Sequence, residues 1–212
     1  MKIAVIDYGM GNLRSVAKAL EHVAPNQTIV VSSDANEIRA ADRVVFPGQG
    51  AIGDALRELR SRGLVEILHE AAASKPFLGI CLGLQILNQH SDEDGGHEGL
   101  GLFSGRVKRF PADMQDTRRE RLKVPQMGWN EVHQDRAHPL WTNITQDARF
   151  YFVHSYYVED ALRETAATTV YGIPFTAAAG QDNVFAVQFH PEKSAQAGLQ
   201  LLQNFTAWDG QA

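Results

Sequence analysis

The chain carries one cysteine, Cys81, set in Gly79-Ile80-Cys81-Leu82-Gly83, where a buried apolar run gives way to a helical one. A side chain at the tip of a sharp strand-to-helix turn is exposed when its neighbours lack bulk, and Gly79 and Gly83 supply that clearance. The helix start at Leu82 favours the thiolate and places backbone N–H groups where negative charge develops on an attacked carbonyl. Taken alone, a lone cysteine is more often an inert buried thiol. At such an elbow, however, it is placed for nucleophilic attack, and then it needs a base and an acid to orient that base. Of the eight histidines, His190 fits best, because it ends the apolar run 184–189 and precedes Pro191 and Glu192. Extended backbone sends residues i and i+2 to the same side. Glu192 is therefore expected to fix the imidazole tautomer while the other ring nitrogen faces sulfur, with Pro191 holding the segment extended. Taken alone, His190 and Glu192 would be an ordinary surface ion pair; together with the elbow they read as a Cys81-His190-Glu192 triad.

Other motifs carry less. Pro47-Gly48-Gln49-Gly50-Ala51-Ile52-Gly53 satisfies G-x-G-x-x-G. A dinucleotide site, though, needs the next strand to end in an acidic residue for the ribose, and here that strand ends in Cys81. The loop reads instead as flexible backbone beside the nucleophile, able to turn an N–H toward developing charge. Gly9-Met10-Gly11-Asn12 lacks a third glycine and reads as a tight connection. There is no H-E-x-x-H pair and no second cysteine, so neither a catalytic zinc nor any cofactor is expected. Asp92, Glu93 and Asp94 lack calcium-loop spacing and read as a solvated loop. Arg118, Arg119, Arg121 and Lys123 read as a solvated face that could meet an acidic partner. Trp129, Tyr151, Phe152, Tyr156 and Tyr157 read as core, with room near His154 and Ser155 for a pocket wall or interface.

The elements that must position these residues alternate in period. Strands are expected at 2–7, 28–31, 43–46 and 76–80, and helices at 13–23, just after Asp34, at 56–62, at 64–73 beyond a break at Gly63, and at 82–89. This is the pattern of βαβ units around a parallel sheet. Residues 91–101 read as a Gly-rich surface loop. Beyond it, strands are expected at 102–110, 124–134, 149–158, 166–171, 175–179 and 184–189, and a helix at 194–208. The expected fold is a single α/β domain over 1–212, with a mixed, mostly parallel sheet flanked by helices on both faces and its later strands partly antiparallel. The 212 residues are 44% hydrophobic and 21% charged, with 20 basic against 25 acidic side chains and a net charge of −5. No basic face is available for nucleic acid. No apolar run reaches the roughly 20 residues that span a bilayer, and Met1-Lys2 leads straight into a strand-like run, so the expectation is a cytoplasmic protein without membrane contact.

Gly79-Ile80-Cys81-Leu82-Gly83-Leu84-Gln85 together with His190-Pro191-Glu192 resembles the class I, or triad, glutamine amidotransferases, whose flavodoxin-like fold is a mixed sheet between helical layers. Five further blocks are similar to the glutaminase subunits of imidazole glycerol phosphate synthases. They are Asp7-Tyr8-Gly9-Met10-Gly11-Asn12-Leu13, Pro47-Gly48-Gln49-Gly50-Ala51, Pro125-Gln126-Met127-Gly128-Trp129-Asn130, Tyr151-Phe152-Val153-His154-Ser155-Tyr156 and Gln188-Phe189-His190-Pro191-Glu192-Lys193-Ser194. Gln49 departs from the Val that many relatives carry there, but the position contributes a backbone N–H. The resemblance implies that Cys81 attacks the carboxamide of glutamine, that the N–H groups of Leu82 and, after a peptide rotation, Gln49 hold the oxyanion, and that Gly48, Gly50, Gln85, Ser155 and Tyr156 hold the substrate. It also implies a heterodimer with a (β/α)8-barrel cyclase, docked on Asn12, Met127, Trp129, Tyr151 and Lys193. That cyclase takes the ammonia through a channel to make imidazole glycerol phosphate and aminoimidazole carboxamide ribonucleotide in histidine biosynthesis. In such pairs the glutaminase is nearly silent until the cyclase binds its ligand, and the glycines at 48 and 50 are expected to let that loop switch between two states. Three alternatives stay open: a paralogous glutaminase feeding another synthase such as a sugar amidotransferase, a Cys-His hydrolase on a similar sheet, and a non-catalytic subunit.

Overall fold

The computed structural model describes residues 1–159 and 163–211. Its first half is a run of βα units: β1 Lys2–Ile6, α1 Leu13–Val23, β2 Thr28–Ser32, α2 Ala35–Arg39, β3 Arg43–Gly48, α3 Ile52–Ser61, α4 Leu64–Ser74, β4 Phe77–Cys81 and α5 Leu82–Leu87. The second half is mostly strand: β5 His90–Ser91, β6 His97–Glu98, β7 Arg106–Arg109, β8 Gln126–Glu131, β9 His133–Gln134, β10 Arg149–His154, β11 Tyr156–Val158, β12 Thr165–Tyr171, β13 Ile173–Gln181 and β14 Val184–Val187, closed by α6 Ala195–Ala207.

β3 and β4 are buried along their whole length, the mark of parallel strands covered on both faces. The order β2-β1-β3-β4-β14 is parallel throughout; β13, β11, β7, β5 and β6 extend it mostly antiparallel, and β12 and β9 branch from β13. One face packs Val16 and Leu20 of α1 with Leu201, Leu202 and Phe205 of α6. The other packs Ile38, Leu56, Leu59, Leu68 and Leu84 from α2, α3, α4 and α5. Fully buried side chains such as Phe46, Phe77 and Phe185 each contribute about 1.5–3 kcal/mol through area removed from water.

Register decides what meets at the sheet's carboxyl edge. Gly48 of β3 lies opposite Cys81 of β4, and Val187 of β14 lies opposite Ile80. The loop after β3, the cysteine and the chain running to His190 therefore emerge side by side, the usual place for a site in an open α/β sheet.

Several elements differ from expectation, each for a tertiary reason. α3 begins at Ile52, four residues before the expected start, because the Glu93 carboxylate accepts the Ile52 N–H at 3.0 Å and caps the helix from a distant loop. The run 149–158 breaks at Ser155: β10 pairs with β8 in a separate two-stranded sheet, whereas β11 joins the main one. The expected loop at 91–101 contains the return strand of the small β5–β6 hairpin. By contrast, α1 spans the residues expected, and Gly63 adopts the left-handed backbone, φ 64°, that separates α3 from α4.

Candidate active site

Cys81 is the last residue of β4 and the residue before α5, and its backbone is held at φ 55°, ψ −108°. A non-glycine residue there stores about 1–3 kcal/mol of strain and persists only where its surroundings over-determine it. The surroundings do so. α5 sits so close to β3 that a Cβ at residue 83 would lie 2.2 Å from the Phe46 carbonyl oxygen, and one at residue 79 would lie 2.9 Å from Ala186 Cβ. The glycines at 79 and 83 thus serve close packing of strand and helix, rather than only clearance for the thiol. Beneath the sulfur, Gln188 Nε2 donates to Cys81 Sγ at 3.7 Å, and Gln85 Nε2 donates to Gln188 Oε1 at 3.0 Å and to the Tyr156 carbonyl at 2.9 Å.

His190 Nδ1 lies 2.9 Å from Glu192 Oε1, and both side chains are buried. The expected extended geometry holds at His190 itself, φ −103°, ψ 97°, but Pro191–Lys193 then form a 3-10 turn. Pro191 opens that turn at a position where its missing N–H costs nothing, and the turn brings the carboxylate back under the ring. The turn is pinned from outside: the His190 N–H donates to the Tyr151 carbonyl at 2.9 Å, the Tyr151 N–H donates to Ser194 Oγ at 2.9 Å, and Ser194 Oγ–H donates to the His190 carbonyl at 2.6 Å. Asn12 Nδ2 also donates to Glu192 Oε1, at 3.3 Å. With Nδ1–H committed to Glu192, Nε2 is the nitrogen left for Cys81 and has no nitrogen or oxygen partner among the described residues. Burial disfavours charge on this ring, but the negative charge and hydrogen bonding of Cys81, followed by those of Glu192, outweigh it and raise the His190 pKa to about 10.

A cavity of about 440 Å³ opens on these groups, lined by Gln49, Gly50, Cys81, Leu82, Gln85, Glu93, Pro125, Val153, His154, Ser155, Tyr156 and His190. Gly48 lies behind this wall, fully buried against Tyr8 and Leu82. Glu93 is a correction to the sequence reading. It is half-buried in the wall, and burial pushes its carboxyl pKa up, whereas Asp92 and Asp94 of the same acidic run are exposed and Asp92 accepts from Arg106 at 2.8 Å. The one sequence signal for Glu93 is indirect: α3 starts after Ala51, which has no capping side chain of its own. The basic run at 118, 119, 121 and 123 is exposed, away from the cavity.

Met127 and Trp129 of β8 are 65% and 45% exposed. Tyr151 of β10 pairs opposite Trp129, ring centroids 6.2 Å apart at 78°. Exposed Lys193 sits on the catalytic turn, and Asn12 reaches the same turn through Glu192. Of the five residues expected to dock a partner, Asn12 and Tyr151 thus bond to Glu192 and His190, Lys193 follows Glu192, and Trp129 packs on Tyr151. Among the described residues no group of three or more His, Cys, Asp or Glu could hold a metal ion, and no helix is long and apolar enough to cross a membrane.

The family profile described as glutamine amidotransferase class-I matches residues 4–207. The imidazole glycerol phosphate synthase subunit HisH of Nitrosospira multiformis is 60% identical over 207 residues, covering 97% of each chain. That of Dechloromonas aromatica is 60% identical over 208 residues, covering 97% of this chain and 96% of its own. Among solved structures, a glutamine amidotransferase superposes with a TM-score of 0.70 at 15% identity, covering 97% of both chains. PurLQS from Thermotoga maritima gives 0.66 at 19% identity over 97% of both, and at such identities the likeness shows the fold alone. The full-length identity to subunits of one synthase is the narrower finding, and on it the chain belongs to the class-I glutamine amidotransferase family, in the branch of the imidazole glycerol phosphate synthase HisH subunits.

Proposed function

We propose that one catalytic domain spanning the chain hydrolyses glutamine to glutamate and ammonia through a thioester on Cys81. The observation that carries this reading is that Cys81 and His190 line one cavity, with the buried Glu192 carboxylate 2.9 Å from His190 Nδ1. Attack takes Cys81 as the thiolate, with its proton on His190 as the imidazolium. The thiolate attacks the carboxamide carbon, and the resulting oxyanion meets the N–H groups of Leu82 and Gln49. Cleavage of the C–N bond takes the proton from His190, so ammonia leaves and a glutamyl thioester remains. Acylation removes the sulfur's negative charge, which is a main cause of the raised His190 pKa. His190 is then a base, takes a proton from water as the water attacks the thioester, and Cys81 leaves as thiolate. Glu192 orients the ring throughout.

Gly50, Gln85, Ser155 and Tyr156 hold the glutamine, with Gly48 shaping the loop behind them. Glu93 adds a carboxylate at the wall that suits the substrate's α-ammonium group. Ammonia released to water at neutral pH would be protonated and lost as a nucleophile, so the product calls for a closed path to a second site. The partner in this reading is a (β/α)8-barrel cyclase that seats on Asn12, Met127, Trp129, Tyr151 and Lys193 in a cytoplasmic heterodimer and uses the ammonia in histidine biosynthesis.

The test is glutamate release from glutamine by the purified chain, alone and mixed with the cyclase and its nucleotide ligand, with Cys81→Ala as control. Strong stimulation that vanishes in the variant is the expected result. Silence in every mixture, with the cyclase active on free ammonium, would overturn the pairing and point to a synthase with another acceptor.

A further inference from the structure

Tyr8 follows β1, is fully buried, and packs its ring 5.6 Å from that of Phe46. Its hydroxyl has no hydrogen-bond partner among the described residues. A buried hydroxyl left without a partner is costly, so its position needs a reason. The hydroxyl lies against the last residue of β3: a Cβ at residue 48 would sit 2.6 Å from Tyr8 Oη and 2.8 Å from Leu82 Cβ. Tyr8, Phe46 and Leu82 belong to the apolar cluster on one face of the sheet, whereas Cys81 belongs to the cluster on the other.

A trans peptide directs its N–H and C=O to opposite sides. If the Gly48–Gln49 peptide aims its N–H toward the Cys81 face, its carbonyl is aimed toward the Tyr8 face. We propose that Tyr8 is a positioning residue whose hydroxyl donates to the Gly48 carbonyl when the Gln49 N–H points at the oxyanion. The inference rests on the glutaminase reading above. Such a bond favours the active loop twice. It gives the stranded hydroxyl a partner only in that state, and it polarises the peptide so that its N–H is a stronger donor. Burial, and then the charge of Cys81, raise the Tyr8 pKa, so the hydroxyl keeps its proton at working pH.

The experiment is Tyr8→Phe in the full complex with the cyclase and its nucleotide ligand, beside wild type. The expected result is a kcat for glutamine lowered about tenfold, the scale of one hydrogen bond, with KM unchanged. Alkylation of Cys81 by iodoacetamide, which needs no oxyanion hole, should keep its rate, and the melting temperature should hold or rise by about 2–4 °C because no satisfied bond is lost. Equal kcat in variant and wild type overturns the proposal. So does a fall in alkylation in step with kcat, which would place Tyr8 on the nucleophile, or a lowered melting temperature that tracks the lost rate. An inactive wild-type complex would instead remove the glutaminase reading itself, and this proposal with it.

Discussion

Cys81 and His190, the groups proposed for catalysis, are held in place by different means. In the parallel half of the sheet, Cys81 is fixed by burial: β3 and β4 are covered on both faces, and the helix after the cysteine is pressed onto the Phe46 carbonyl with only a glycine between. His190, just beyond β14, is fixed instead by hydrogen bonds to a strand of the separate antiparallel β8–β10 sheet, which is not enclosed. β10 bonds to its turn, and β8 alongside exposes Met127 and Trp129. A strained nucleophile needs surroundings that cannot relax. An acid–base residue needs a defined proton position, which directional bonds supply. Cys81 therefore depends on the core, and His190 on a strand near the surface.

The largest effect expected is on chemistry without stability. Cys81→Ala should lower glutamine turnover by about 10⁴-fold or more, while thermal unfolding stays near wild type because alanine is no more strained at φ 55° than cysteine. Gly83→Ala should do the reverse. The added methyl meets backbone rather than a movable side chain, so denaturant unfolding should show a loss of more than about 3 kcal/mol. A stable Gly83→Ala protein would mean that the parallel half is looser than described.

Acid should loosen the other half first. His154 is buried among Phe110, Phe152 and Phe175, and burial lowers its pKa to about 4. As a neutral ring it donates from Nδ1 to the Tyr156 carbonyl at 2.7 Å, with Nε2 3.0 Å from the Gln126 amide group. Burial also lowers His138 to about 4; its Nδ1 accepts from the Leu140 N–H, a bond that protonation would abolish. Since the unfolded histidine titrates near about 6.5, the neutral forms favour folding above that pH, and the contribution is lost as pH falls toward 4, by about 3 kcal/mol for His154. Hydrogen exchange at falling pH should show β8, β10 and β11 losing protection before β1, β3 and β4. His190, raised to about 10, has the opposite sign: its charge favours folding below about pH 6.5, and that contribution is lost as pH rises toward 10.

Glu93→Gln keeps an oxygen to accept the Ile52 N–H but removes the negative charge. It should raise KM for glutamine by about 10- to 100-fold with kcat little changed; an unchanged KM would take Glu93 out of substrate binding. The smallest expected effect on folding is that of Trp129→Ala. Its stability should stay within about 0.5 kcal/mol of wild type, while affinity for the proposed cyclase partner, read by titration calorimetry, should fall by about tenfold. A large loss of stability would show that the tryptophan serves the fold.

The same contrast explains what the sequence alone discloses. Parallel strands and the helices between them follow from local periodicity, which is why α1 and the Cys81 elbow are legible from residue order. The His190–Glu192 pair is legible too, because a strand-end histidine two residues from an acid is a local pattern, although the turn that joins them is 3-10 rather than extended. What escapes is whatever a distant residue decides. Ile52 starts a helix because Glu93 caps it, and that same contact places Glu93 in the cavity wall instead of in water. Ser155 divides a continuous strand pattern because its two sides join different sheets. Tyr8 reads as one more aromatic at a strand end, and only the position of Gly48 against its hydroxyl distinguishes it.

The bond from the His190 N–H to the Tyr151 carbonyl makes the catalytic turn mechanically continuous with β10, the strand that pairs with β8 and its exposed Trp129. A load applied to that outer ribbon reaches the imidazole through one strand, whereas the sulfur, seated in the sheet, stays put. A force on the outside of the molecule would therefore register as a change in the gap between His190 and Cys81, the coordinate along which the proton moves in the proposed reaction.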